Sequence, residues 1–534
     1  MFACTIKDRP LLTTKGLFIL IFLIGLIVRI IVPELKLLHH DEAIHAWFTY
    51  ELLTKGTYLY DPMYHGPLLY YLTGAAFLFF SDSDLIARLL PALFGSAIIP
   101  LFYILYKEDW LSKNHMLFAS LFFALSPSMV YFSRFLRHDI FQLFFTILLM
   151  VSLLLYFDKG RWQYAILAAI SAACGLSLKE DMPFTILIFG SFFLFMFMAG
   201  RIALPSDWKR DVIASILIMT GIGMVFYTTF FTHPEMFLQA PFKAIEHWTG
   251  IHGACRLCGG PYWYLLIIGL YEMPIMILAI AGAWYYGVRE QGFKEIKAGI
   301  LGYYNNLRSR RELLRSYVGI PDKYRFIALF AIYWTILSMA FYAYVGEKVP
   351  WLIIHQLFPL ILIASYQISG KKMIFAAIAC VYLVLMMAHV CYTPTDINEP
   401  IVQVQNSEEM REVMKMIDTS GSVVVASESY WPLPWYYRGD RWNKVVFYGN
   451  RVDPDTFSPL DPDMIITHDT DSYESLEGYE KRQYKLSYWF SWYENENRLF
   501  EYYFLRDGKS GSINLDVFVK PRISQRVNYS VQTA

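Results

Sequence analysis

Two adjacent carboxylates, Asp41 and Glu42, sit among imidazoles in the stretch His39-His40-Asp41-Glu42-Ala43-Ile44-His45-Ala46-Trp47, just after an apolar run from Gly16 to Val32. Carboxylate and imidazole groups at this density can move protons or hold a divalent cation. If a helix begins near Asp41, Asp41 and His45 share one face at i and i+4, while Glu42 points about 100° away. Only one carboxylate of the pair can then aim at a given reacting atom. A simpler use of Asp41 is as a helix cap, because an acid in the first turn is favoured by the helix dipole and by the free amides there. The metal alternative draws on His39, His40, Asp41, His45 and His65, whose spacing is not one of the diagnostic ligand patterns.

The elements that must position these groups are apolar. The 534 residues are 56% hydrophobic, 18% aromatic and 17% charged, more apolar surface than a soluble core of this size needs. Runs long enough to cross a bilayer as helices occur at Gly16–Val32, Leu85–Tyr106, His115–Phe132, Ile140–Phe157, Trp162–Leu178 and Pro183–Ala199. Val212–Phe231, Tyr262–Tyr285, Phe326–Phe341, Trp351–Ser365 and Met373–Ala388 bring the expected spans to about eleven. Within the first long loop, 33–84, Ala43–Thr54 and Gly66–Phe80 read as helices lying at the membrane interface. The fold class expected is a polytopic α-helical membrane domain, 1–391, followed by a separate domain, 392–534.

Formal net charge is zero, so overall charge calls for no nucleic-acid partner, but the placement of basic residues sets an orientation. The loop 286–325 carries Arg289, Lys294, Lys297, Arg308, Arg310, Arg311, Arg315 and Lys323 against Glu290, Glu295, Glu312 and Asp322, which marks it as cytoplasmic. Counting spans from it puts the N-terminus inside and the C-terminal domain outside, in a multi-pass protein of the cell membrane. The first apolar run lacks a small-residue cleavage site and reads as a retained span. On this count Asp41 and Glu42, then Arg134, Arg137, His138 and Asp139, then Lys179, Glu180 and Asp181, then Glu347 and Lys348 all fall on the outer face. Charges near membrane depth are costly unless they pair or serve a function, so four such segments on one face predict a site at the outer mouth of the bundle.

The string HHDEAIHAWFTYELLTKGTYLYDPMYHGPLLYY, followed in order by YFSRFLRHD, SLKEDMPF, GEKVPWLIIHQLFP and SYWPLPWYY, resembles the archaeal and bacterial flippase-activity-associated membrane proteins of the N-glycosylation pathway. That family is similar to the protein O-mannosyltransferases and, more broadly, to the C-type glycosyltransferases, which take a sugar from a polyprenyl-phosphate carrier on the outer face of a membrane. The resemblance covers Leu17 to about Tyr437. It implies that Asp41-Glu42 is the acidic motif of the first outer loop, with the aspartate as general base, and that Asp139 is the second acidic residue facing it. A hydroxyl acceptor is a poor nucleophile, and a carboxylate within reach would take its proton as the anomeric carbon transfers with inversion. The leaving lipid phosphate needs cations at headgroup level, for which Arg134, Arg137, Lys179 and Lys348 are available. His45, His138 and Glu180 would support the site, with Glu180 open to a local ion pair with Lys179. Arg and Lys at span ends also snorkel to ordinary lipid headgroups, and Asp139 could simply pair with Arg137 or cap its helix.

The resemblance implies a polyprenyl-phosphate-linked sugar as donor and a glycan, protein or lipid as acceptor. No cofactor is expected, since enzymes of this class that use lipid-monophosphate donors generally resemble metal-independent catalysts; a divalent cation is the alternative. Cys255 and Cys258 form a CxxC in an outer loop, where a disulfide is the default, a zinc clip with His252 the runner-up, and a redox motif lacks its context. Cys174 and Cys380 read as packing residues.

Beyond His389 charged residues and aromatics interleave, with Glu408–Ile417 reading as a helix and Ser422–Ala426, Met464–Thr467 and Ile513–Val519 as strands of a small α/β domain. Its Ser429–Tyr437 segment, rich in Trp and Tyr, could stack on a sugar, or could serve as domain core or rest on the membrane. Two other classes stay open: a flippase or transporter for lipid-linked glycans, and a non-catalytic partner in surface glycan assembly. A transporter more often places its polar groups at mid-span.

Overall fold

The computed structural model describes residues 13–521 except 57, 255–258, 293, 295–296, 299–319, 321, 472 and 474–475, and only the backbone at 252–254. The CxxC of Cys255 and Cys258 and most of the basic loop therefore lie outside the described residues. Each of the eleven apolar runs falls on helical structure. In chain order α1 is Thr14–Ile30, α2 His40–Lys55, α3 Leu68–Phe79, α4 Asp84–Ala97, α5 Ile99–Lys107, α6 Lys113–Leu125 and α7 Pro127–Phe132. Next come α8 His138–Lys159, α9 Trp162–Leu176, α10 Met182–Met198, α11 Trp208–Tyr227 and α12 Met236–Ala254. The helical domain closes with α13 Trp263–Tyr271, α14 Met273–Trp284, α15 Lys323–Tyr344, α16 Ile353–Ser365 and α17 Lys372–Tyr392.

Among the described residues, five helical stretches are long and apolar enough to cross a membrane: Asp84–Lys107, His138–Lys159, Trp208–Tyr227, Lys323–Tyr344 and Lys372–Tyr392. Two expected spans are not single rods. The run His115–Phe132 breaks at Ser126, whose hydroxyl caps α7 by accepting from Met129 N. The run Tyr262–Tyr285 bends by 108° between α13 and α14, at Glu272. Glu272 is buried and ties the two breaks together, accepting from the Ser126 hydroxyl at 2.7 Å and Ser128 N at 2.9 Å. Every residue of helix α16 is buried, so it forms the centre of the bundle.

The first loop folds back onto the bundle through Gly66. Its amide donates to Leu178 O at 2.9 Å, and Leu68 N donates to Ser177 O at 3.0 Å, just past the end of α9. A Cβ at Gly66 would lie 2.2 Å from that Ser177 carbonyl, so the approach requires glycine. This fastening brings His65 to the Lys179-Glu180 turn.

The C-terminal domain is built on a six-stranded mixed sheet in the order β1-β5-β6-β4-β2-β3. The strands are β1 Gln405–Asn406, β2 Val423–Ala426, β3 Val445–Phe447, β4 Met464–His468, β5 Glu480–Phe490 and β6 Ser510–Val519. β2 pairs parallel with β3 and β4, while β6 runs antiparallel to β4 and β5. Helix α18, Met410–Thr419, covers one face through Met410, Val413, Met416 and Ile417. The expected helix and all three expected strands are present.

This domain grips the segment that precedes Asp41. Gln405 and Asn406 side-chain amides donate to Leu37 O and Leu38 O at 3.1 and 2.6 Å, and Leu37 N donates to Glu408 at 3.2 Å. Part of the aromatic segment at 429–437 faces the bundle. Trp435 Nε1 and Tyr436 OH each donate to the Asp84 carboxylate at 2.7 Å, and Arg438 Nε donates to Asp82 at 2.7 Å. Tyr437 and Leu433 turn into the domain interior, the Tyr437 hydroxyl donating to Met414 O.

Candidate active site

Helix α2 begins one residue before Asp41, as its composition implies, but the cap is built from its neighbours. The His39 ring accepts from Asp41 N, and Glu42 reaches back to accept from His39 N at 2.9 Å. Capping is therefore the work of His39 and Glu42, which leaves the Asp41 carboxylate to other partners. With its Nδ1 accepting, the His39 ring turns Nε2–H to Gln403 O in the C-terminal domain, and burial holds this imidazole well below the usual histidine range.

Glu42 takes a different set of partners from Asp41. Its side chain is fully buried, with both oxygens taken by Arg88: Nε on Oε1 at 3.0 Å and Nη2 on Oε2 at 2.5 Å. Leu136 N donates to Oε1 at 2.9 Å. The remaining Arg88 donors bind Pro33 O, Lys36 O and Leu37 O. The pair locks the first loop to α4 and to the turn before α8, and offers nothing to a substrate.

Asp41 points the other way, with its side chain 25% exposed against 2% for Asp139. Both are held by one guanidinium. Arg137 donates Nη1 to Asp41 Oδ2 and Nε to Asp139 Oδ2, the latter at 3.1 Å, and its guanidinium carbon lies 3.6 Å from the centre of the Trp351 ring. The other Asp139 oxygen accepts from Lys179 Nζ, and His355 Nε2 lies 3.9 Å away. A line of alternating charge, Asp41, Arg137, Asp139, Lys179, thus runs from the rim inward, assembled from α2, the start of α8 and the turn after α9. His355 and Trp351 were not picked out from sequence, although both stand in the GEKVPWLIIHQLFP string. Neither has a distinguishing spacing, and only the packing of α16 against α8 brings them here.

Glu180 does not pair with its neighbour Lys179. It accepts from Tyr60 OH at 2.9 Å and from His65 Nδ1 at 2.8 Å. With Nδ1 donating, His65 Nε2 is left as an acceptor and faces Arg137 Nη2 at 3.4 Å. Tyr60, Glu180 and His65 thus form a second line of hydrogen bonds ending on the same guanidinium. His45 is buried on the same face of α2, its Nδ1 on Tyr70 OH at 2.9 Å and its ring packed edge-on against His138, 4.9 Å away. Burial lowers the His45 pKa to about 3 and the His40 pKa to about 4. His138 Nε2 donates to Gly66 O at 3.0 Å. These two histidines hold the first loop against the start of α8.

Two of the four expected phosphate-binding cations are committed elsewhere. Arg134 donates to Ile31 O at 2.6 Å, Val32 O at 2.9 Å and Arg29 O at 3.2 Å, closing the C-terminal end of α1. Lys348 Nζ donates to Tyr342 O at 2.8 Å, Ala343 O at 2.9 Å and Val345 O, closing the end of α15; burial lowers its pKa. Arg137 and Lys179 remain at the site. The His39, His45 and His65 rings turn to separate partners. Among the described residues no three His, Cys, Asp or Glu side chains group as a metal-holding set.

Residues 39–237 match the family model described as dolichyl-phosphate-mannose-protein mannosyltransferase. That region holds every residue of the two lines described above; Trp351 and His355, which flank them, lie outside it. No curated protein matches the chain by sequence. Among solved structures, the chain resembles ArnT from Cupriavidus metallidurans bound to undecaprenyl phosphate, with a TM-score of 0.59 and 13% identity over 86% of this chain and 94% of that one. It also resembles the Archaeoglobus fulgidus oligosaccharyltransferase, with a TM-score of 0.54 and 13% identity over 85% of this chain and 69% of the other. The same archaeal enzyme, AglB, in complex with an inhibitory peptide and a dolichol-phosphate, aligns with a TM-score of 0.52 and 12% identity over 85% and 69% of the two chains. The chain thus shares its fold with these solved structures, and its residues 39–237 resemble the dolichyl-phosphate-mannose-protein mannosyltransferases.

Proposed function

We propose that the protein is a membrane glycosyltransferase that moves a sugar from a polyprenyl-phosphate donor to a hydroxyl-bearing acceptor on the outer face of the membrane, with inversion. The observation that supports this reading is the charge line Asp41–Arg137–Asp139–Lys179, in which Asp41 is the most exposed group. Its carboxylate takes the acceptor's proton while the acceptor oxygen attacks the anomeric carbon. The bond from that carbon to the phosphate oxygen breaks, and the electron pair leaves with the polyprenyl phosphate. Arg137 and Lys179 are the cations placed to meet the charge developing on that phosphate. Asp139 touches both and acts as their positioning residue.

The arrangement supplies a way to time the base. While Arg137 is bound to Asp41 it favours the ionised carboxylate and weakens it as a base. A donor phosphate that draws the guanidinium toward itself strengthens Asp41 as the acceptor arrives. The relatives seen with undecaprenyl phosphate and with dolichol-phosphate support a lipid monophosphate as the carrier. The sugar is a hexose in this reading, mannose by the description of the matched family.

Sugar transfer from radiolabelled polyprenyl-phosphate hexose by the purified protein in lipid, compared with Asp41→Asn, is the test. Transfer by the wild type that collapses in the folded variant is the expected result. Equal transfer by the variant removes Asp41 as base.

A further inference from the structure

The C-terminal domain carries an apolar patch that its own core does not use. Among its described residues, the large apolar side chains exposed beyond two thirds are Tyr493 at 68%, Phe500 at 77%, Phe504 at 72% and Leu505 at 74%. Three of them stand on the short helix Leu499–Leu505, where Phe500 and Phe504 are neighbours at i and i+4 with ring centres 4.7 Å apart. The other exposed large apolar residues of the domain, Trp442, Val446 and Leu460, are each less than half exposed. A contiguous apolar patch on a protein surface marks an interaction site, whereas scattered exposed residues do not.

The position of this helix decides what covers the patch. Its inward side chains Leu499, Tyr502 and Tyr503 pack with Leu266, Ile267 and Leu270 of α13. The Tyr503 hydroxyl donates to Leu266 O, and Arg506, just past the helix end, lies over toward Met386 of α17 with Nη2 4.0 Å from its sulfur. The helix is thus fastened to α13 near its start and to α17 near its end; Leu265 of α13 and Val381 and Leu385 of α17 are themselves exposed apolar residues, as are Met273 and Ile277 of the adjoining α14. Its charges are tied at the edge of the patch: Arg498 pairs with Glu501 at 2.9 Å and with Asp507 at 2.7 Å.

We infer that the Leu499–Leu505 helix is a membrane-inserting element, with Phe500, Phe504 and Leu505 seated among the lipid acyl chains of the leaflet next to the C-terminal domain. The apolar surface of α13 and α17 continues directly into the patch, so the lipid that covers those helices covers it too. An amphipathic helix lying in the interface, aromatics down and ion pairs at headgroup level, is the arrangement such a sequence adopts. The domain that grips the segment before Asp41 is thereby tied to the bilayer as well as to the bundle. The inference rests on the reading of α17 as a lipid-facing span and is independent of the reaction.

Photocrosslinking tests it. Benzoylphenylalanine replaces Phe504, and in a separate variant Phe500, in the full chain reconstituted in vesicles of phosphatidylethanolamine and phosphatidylglycerol. Leu385 of α17 serves as the lipid-facing control and Leu460 as the solvent-facing one. Lipid adducts at 504 and 500 comparable with those at 385 and several-fold above those at 460 are expected. Adducts no higher than at 460, or adducts to protein in place of lipid, overturn the proposal. Absence of lipid adducts at 385 also overturns it, by removing the span on which it rests.

Discussion

Glu42 and Arg88 form a two-bonded ion pair, Nε–Oε1 at 3.0 Å and Nη2–Oε2 at 2.5 Å, buried one residue away from the exposed carboxylate of Asp41. Adjacent acids in one motif therefore do opposite things. Removing Glu42 strands a buried guanidinium, and breaking such a pair costs about 3–5 kcal/mol. Glu42→Ala is expected to lower the melting temperature in detergent sharply and to lose activity only in proportion to lost fold. A variant that melts like the wild type but cannot transfer sugar would return Glu42 to the chemistry.

Asp41→Asn should behave in the reverse way. Its ion pair is partly exposed, and such pairs contribute about 1 kcal/mol or less, so melting should barely move. Transfer should fall by about 10²–10⁴-fold, the usual contribution of a general base. Turnover under saturating donor, measured beside thermal melts, separates the two variants.

The four cations divide in the same manner. Lys179→Met removes a partner of Asp139 and a charge for the donor phosphate, and is expected to depress transfer per folded molecule. Arg134→Ala uncaps α1 and should reduce stability by about 1–3 kcal/mol while leaving the KM for the lipid donor in place. A raised KM for Arg134→Ala would mean that its guanidinium reaches the donor after all.

His45 gives a signed pH dependence. Its folded pKa of about 3 lies below the unfolded value, so between the two the unfolded chain binds a proton that the folded chain does not. Stability is complete above about pH 6.5, the unfolded value, and is lost as pH falls from there toward the folded pKa. At pH 5.5, one unit below the unfolded value, the loss from this group is on the order of 1 kcal/mol. Thermal melts from pH 8 to pH 5 should show the decline, and His45→Gln should flatten it. An unchanged slope in that variant would assign the decline to other groups.

Asp84 is the hinge pin between the two domains, accepting from both Trp435 and Tyr436. Asp84→Ala should raise hydrogen exchange in 430–438 and, through the grip on Leu37 and Leu38, in the start of α2. Exchange unchanged at α2 would show that the C-terminal domain does not steady Asp41.

Periodicity and run length in the sequence by themselves determined the helices, since the expected spans, the two first-loop helices and the β2, β4 and β6 strands all rest on local pattern. The sequence also placed Asp41, Arg137, Asp139 and Lys179 at one mouth, because polar residues gather where apolar runs end. Only the tertiary structure decided which of them are available. The distinction between Asp41 and Glu42, the capture of Arg134 and Lys348 by helix ends, and the turning of Glu180 to Tyr60 and His65 all depend on partners distant in sequence. The 108° bend at Glu272 escaped a hydropathy reading for a related reason: an unbroken apolar run does not reveal that one buried acid is held by serines of another helix. A charge's type is written in its residue, but its use is set by which hydrogen-bond partners the packed chain brings within about 3 Å of it.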